Sequence, residues 1–97
     1  MESIKLVKEN FDYLPMGMND PNIDKFNKQF VSNSDCPIAR ALKADGYTDV
    51  IVNPKKALAF KDGVYNTFKL KASNIDVIAA SVSILNGAEY GEIEIVK

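Results

Sequence analysis

The sequence predicts an α+β fold in two layers, with two to three helices on one face of a mostly antiparallel or mixed sheet of about four to five strands. Three observations carry this. Short β-branched runs alternate with stretches of helical spacing, in the order β-loop-α-α-β-β-β-α-β. Residues 34–53 compress a capped helix, a tight stop and a strand into one unit around which the rest is organised. No linker, repeat or low-complexity segment interrupts the chain, so residues 1–97 are expected to form a single domain.

In chain order, residues 3–7 read as a first strand, with Ile4 and Leu6 on one face and Lys5 opposite. Residues 9–20 are the least regular stretch, where Phe11, Tyr13, Leu14, Met16 and Met18 are broken by Pro15 and Gly17. Loops are usually polar, so this many large apolar groups need burial somewhere. One reading folds the loop over an edge of the core. The other makes Tyr13, Leu14, Met16 and Met18 a partner-binding surface, since Met and Tyr are adaptable interface anchors.

Asp20 as N-cap and Pro21 at the first helical position precede Ile23, Phe26 and Phe30, and this spacing predicts a short amphipathic helix over residues 21–31. Ser34 and Asp35 are placed to accept hydrogen bonds from the free amides of the next helix, with Pro37 in its first turn. Ile38, Ala41 and Leu42 form its apolar side, Lys43 complements the dipole in its last turn, and Gly46 ends it. Val50-Ile51-Val52 follows as a run apolar on both faces, which suggests a central strand.

The string Asp35-Cys36-Pro37-Ile38-Ala39-Arg40-Ala41-Leu42-Lys43, followed by Gly46 and Asp49-Val50-Ile51-Val52, resembles a group of small bacteriophage and prophage proteins. They share a Cys-Pro-apolar-Ala-x-Ala-Leu-Lys helix start, a glycine and a short valine-rich strand. The resemblance covers about a fifth of the chain, through residues of structural type. It implies a phage origin and no particular activity.

Residues 55–70 read as a β-hairpin around Asp62-Gly63. Parity puts Leu58 and Phe60 on one face of the first strand and Val64, Phe68 and Leu70 on one face of the second. A two-residue loop separates these sets, whereas a three-residue loop, Lys61-Asp62-Gly63, unites them and places Phe60 opposite Val64. The expectation is therefore the three-residue loop, with Ala57, Ala59, Tyr65, Thr67 and Lys69 on the more exposed face. Ser73 or Asn74 then caps a helix in which Ile75, Ile78, Val82 and Leu85 keep helical spacing, ending at Asn86-Gly87. Residues 92–97 form a last strand, Ile93 and Ile95 inward, Glu92 and Glu94 outward, its acidic face discouraging edge-to-edge pairing.

Composition narrows function mainly by exclusion. Without histidine there is no Ser-His-Asp or Cys-His catalysis and no His-containing zinc site, and one cysteine leaves no disulfide, thiolate metal site or redox pair. No glycine pattern matches a phosphate loop or dinucleotide fingerprint. No metal, cofactor or membrane partner is expected. With no signal peptide read before Glu2, the expected compartment is the cytoplasm, that of the bacterial host if the chain is phage-encoded.

Two residue sets keep a chemical argument. Cys36 at a helix start could gain thiolate character from the dipole, but it lacks a base and sits beside Asp35, so packing is the plainer reading. Glu92 and Glu94 share a strand face, yet paired exposed carboxylates need a cleft and shifted pKa values to act.

Net charge is −1, against general nucleic-acid binding, but residues 36–71 carry one Arg and six Lys against three Asp. Arg40, Lys43, Lys55, Lys56, Lys61 and Lys69, with Tyr65 as a stacking platform, form the alternative site: an anion-binding module for a nucleotide or nucleic acid. The bland reading is a solvated lysine-rich face. The expected function is a non-enzymatic phage-type protein that binds a protein partner, such as a host factor, or itself.

Overall fold

The computed structural model describes residues 2–71 and 74–96. Strand β1 (Glu2–Leu6) leads through a 3-10 turn (Lys8–Asn10) and an irregular connection to helices α1 (Ile23–Phe30) and α2 (Pro37–Ala44). Strands β2 (Thr48–Val52), β3 (Lys56–Lys61) and β4 (Val64–Leu70) follow, then helix α3 (Asn74–Leu85) and strand β5 (Gly91–Val96). The strands form one antiparallel sheet in the order β1-β5-β4-β3-β2. The fold is α+β, and the predicted order of elements is the observed one.

Burial alternates along the strands. Ile4, Leu6, Val50, Val52, Ala57, Ala59, Phe68, Ile93 and Ile95 are buried and join Phe26, Ile38, Leu42, Val77 and Ile84 from the helices in one core. The alternate residues Ser3, Lys5, Ile51, Lys56, Tyr65, Thr67, Lys69 and Glu92 are exposed. One sheet face is thus covered and the other open, as antiparallel sheets allow.

The sheet is staggered. Among the described residues β4 pairs with β5 through Lys69–Val96 and Leu70–Ile95, so the β3–β4 hairpin and the β1–β5 pair project in opposite directions. The long dimension is accordingly 42 Å, against 23 and 21 Å across. α3 packs against β5, where Gly91 lies directly beneath Ala80: a Cβ on Gly91 would fall 2.8 Å from Ala80 Cα. Only glycine allows that approach.

Several local expectations are corrected. The hairpin has a two-residue loop: Lys61 pairs with Val64 and Phe60 with Tyr65, while Asp62 and Gly63 are both left-handed at φ 55° and 80°. That turn matches the right-handed twist of its strands, and turn geometry outweighs apolar parity. The consequence is a change of face. Ala57 and Ala59 are fully buried opposite Phe68 and Asn66 respectively, while Leu58 and Phe60 join Tyr65 and Thr67 on the open face.

β2 is an edge strand, not a central one, and of its apolar run Val50 and Val52 enter the core while Ile51 belongs to the open face. β5 is internal, so its glutamates guard no edge. α2 is capped by Cys36, whose Sγ accepts from Ala39 N–H at 3.4 Å, and not by Ser34 or Asp35. α1 starts at Ile23, because the Asp20 carboxylate takes the Asn22 amide at 2.7 Å and makes Pro21-Asn22 a turn. α3 buries Val77, Ile78, Ala80, Ser81 and Ile84 and leaves Ile75 and Leu85 exposed, so its core face is rotated from the predicted stripe. The alternative cap Ser73 lies outside the described residues.

Candidate functional site

The connection between the 3-10 turn and α1 is built on one carboxylate. Asp20, itself buried, accepts from Tyr13 Oη with both oxygens at 2.9 Å, from Met16 N–H at 2.8 Å and from Asn22 N–H. The Met16 and Asn22 amides hold its pKa below the ordinary carboxylate range, and the Tyr13 hydroxyl's own hydrogen bond to Asp20 raises that of Tyr13. Phe11 and Pro15 are buried and Tyr13 and Leu14 pack against the core. The loop therefore folds over the core, and of the four residues proposed as partner contacts, Met16 and Met18 project, at 77% and 62% exposure.

Gln29, which nothing in its local sequence singles out, fastens this loop from beneath. Its amide donates to the carbonyls of Asn10 (2.8 Å) and Asp35 (3.0 Å) and accepts from Asp12 N–H (2.8 Å).

The predicted basic cluster separates into two groups. Arg40 is committed to Asp12 at 2.8 Å and to Asp35 at 2.9 and 3.0 Å; these bonds raise its pKa and lower that of Asp35. Lys43 donates to the Ser34 carbonyl, and Lys61 donates to the Asp45 carbonyl at 2.8 Å while lying over the Tyr47 ring. These three close the structure locally. Lys55, Lys56 and Lys69 form no ion pair among the described residues, and Lys56 faces Lys69 directly across the ladder.

The lysine pair borders an apolar patch on the open face. Ile51 pairs with Leu58, Leu58 with Thr67, and Phe60 with Tyr65, whose rings lie 4.9 Å apart. Ile51 is 53% exposed and Tyr65 57%. Sequence reading named Tyr65 and the lysines but missed Ile51, Leu58 and Phe60. The signal that could have found them was Asp62-Gly63 taken at face value as a two-residue turn.

The remaining chemical leads contract. Cys36 is buried as the α2 cap, and desolvation raises its pKa despite the helix amides. Glu94 pairs with Lys71 at 3.0 Å, and Glu92 lies opposite Lys5 in the ladder. A cleft of about 400 Å³ between α3 and β5 is lined by Asp76, Glu92 and Glu94 with Lys71. A second, of about 410 Å³, has Leu42, Phe68 and Ile95 as floor and Lys5 and Asp45 at the rim. Among the described residues no three ligand-type side chains converge to hold a metal, and no helix is long and apolar enough to cross a membrane. No family model matches this chain, and neither a curated protein nor a solved structure matches it.

Proposed function

We propose that this chain is a small non-enzymatic binding protein that docks a protein partner on the open face of its sheet. The reading rests on one observation: Ile51, Leu58, Phe60 and Tyr65 form an apolar patch beside Lys56 and Lys69, which make no ion pair among the described residues, on a face that no described helix or strand covers. Apolar area with aromatic anchors and a charged rim is the composition of a protein interface. A phage origin belongs to the proposal only through the sequence resemblance around Asp35–Lys43.

The alternative, an anion-binding module, retains Lys55, Lys56, Lys69 and Tyr65 and loses Arg40, Lys43 and Lys61 to internal bonds. An apolar surface beside a lysine pair suits a protein better than a polyanion.

Immobilised protein is the test. Ile51→Ser with Leu58→Ser should lose capture of its partner, with the far-ultraviolet circular dichroism of the parent retained. Met16→Ser with Met18→Ser should keep it. The reverse pattern would move the site to the loop.

A further inference from the structure

Strand parity makes β2 border two different spaces. Ile51 belongs to the open face, while its neighbour Val52 turns to the covered side. There, at the edge of the sheet, a cavity of about 140 Å³ remains. Cys36, Ile38 and Val52 are the buried residues of its wall, and Phe30 and Leu70 are half-buried beside them. Val31 and Asn53 line it too, and both are exposed, so they mark its mouth.

The cavity follows from how the chain passes the sheet edge. α1 ends at Phe30 and α2 begins at Pro37, and the connection between them runs alongside β2. The Asn33 carbonyl accepts from Val52 N–H at 2.6 Å, which ties that connection to the edge strand. The Cys36 thiol is engaged with Ala39 N–H as the cap of α2. With both tethers in place, the side chains of Cys36, Ile38 and Val52 leave the interior unfilled.

Its chemistry is apolar within and polar at the mouth. Among the described residues no charged side chain lines it. Asn53 Oδ1 accepts from the amides of Lys55 and Lys56, at 2.9 and 2.8 Å. That oxygen is committed, and Asn53 Nδ2 remains as a donor with no partner among the described residues. An apolar cavity of about 150 Å³ holds one benzene ring. Ligand sites join such walls to a few fixed polar groups.

We infer that this cavity is a binding site for a small neutral molecule made of a single aromatic ring and a hydrogen-bond acceptor. The ring lies against Ile38, Val52 and the Cys36 thiol, and the acceptor meets Asn53 Nδ2 at the mouth. The site is on the opposite side of the sheet from the Ile51–Tyr65 patch, so it neither needs nor replaces partner docking there.

Titration of benzonitrile and of toluene into nitrogen-15-labelled protein tests this. Both should give saturable amide shifts around Val31, Ile38, Val52 and Leu70, with Tyr65 and Met16 unmoved. Cys36 is the single cysteine, so its alkylation by iodoacetamide is a second readout. The rate should fall with added benzonitrile and level off at the same half-saturation. Asn53→Asp keeps the oxygen that serves Lys55 and Lys56 and removes the donor. It should weaken benzonitrile about 2–10-fold, the worth of one hydrogen bond, and leave toluene unchanged. Leu70→Phe fills the space and should abolish binding of both molecules. Val31→Trp, at an exposed position of the mouth, should give the same loss where the filled variant does not fold. Absence of saturable shifts up to the solubility limit overturns the inference. So do shifts centred on Tyr65, or binding that survives both the filled and the covered cavity. A benzonitrile affinity unchanged in Asn53→Asp overturns the assignment of its polar contact.

Discussion

Lys56 and Lys69 stand directly opposite each other across the β3–β4 ladder, on the face of the sheet that no helix covers. Like charges in that position destabilise a sheet, and opposite charges add about 0.2–1 kcal/mol per pair. Lys69→Glu is therefore expected to raise the midpoint of chemical unfolding while weakening association. A variant that is less stable than the parent would show that Lys69 has a structural role in the hairpin.

The contact of Gly91 with Ala80 fixes how closely α3 approaches β5. Gly91→Ala should lower stability by about 1–3 kcal/mol through overpacking, measured by denaturant titration. Ala80→Gly in the same chain should recover part of the loss, because the two positions share one contact. Additive losses would contradict a shared contact.

Gln29 satisfies three backbone groups at once, on Asn10, Asp12 and Asp35. Gln29→Leu keeps the side chain's bulk and removes all three bonds. It should cost about 1–3 kcal/mol, chiefly from the Asn10 carbonyl left unpaired, because that bond is the buried one of the three. Loosening should reach both the loop and the start of α2, visible as faster hydrogen exchange in both segments.

Asp20 gives a pH signature. Its folded pKa is depressed by the Met16 and Asn22 amides, so its contribution is fully present above the unfolded carboxylate value, about 3.9. The contribution disappears as pH falls through the lower folded value. Asp20→Asn should thus be less stable than the parent at pH 7, and the difference in melting temperature should narrow as acid protonates the parent's carboxylate. A gap that stays constant down to pH 2 would exclude ionised Asp20 as its source.

How much of this was legible depended on how local each signal was. Pro37 at the first position of α2 and left-handed Gly46 after it mark that helix within a dozen residues, and both stand where they were expected. The hairpin's position was equally clear from Asp62-Gly63, but its register was not. Parity favoured keeping Leu58 and Phe60 with Phe68, and the turn decided otherwise. Ile51 was hidden for a different reason. An apolar run reads as a strand covered on both faces, but this sheet is covered on one, and which face lacks a layer is not a local property. Likewise, nothing near Arg40 in sequence announces Asp12, the partner that removes it from the basic surface.

The most direct test of the central claim is a map of backbone amide shifts in nitrogen-15-labelled protein, recorded while the bound partner, a second copy or another protein, is titrated in. The open-face account predicts changes across β2, β3 and β4, centred on Ile51, Leu58 and Tyr65, with the Met16–Met18 region unmoved. Changes centred on that loop, with β2 to β4 silent, would contradict it.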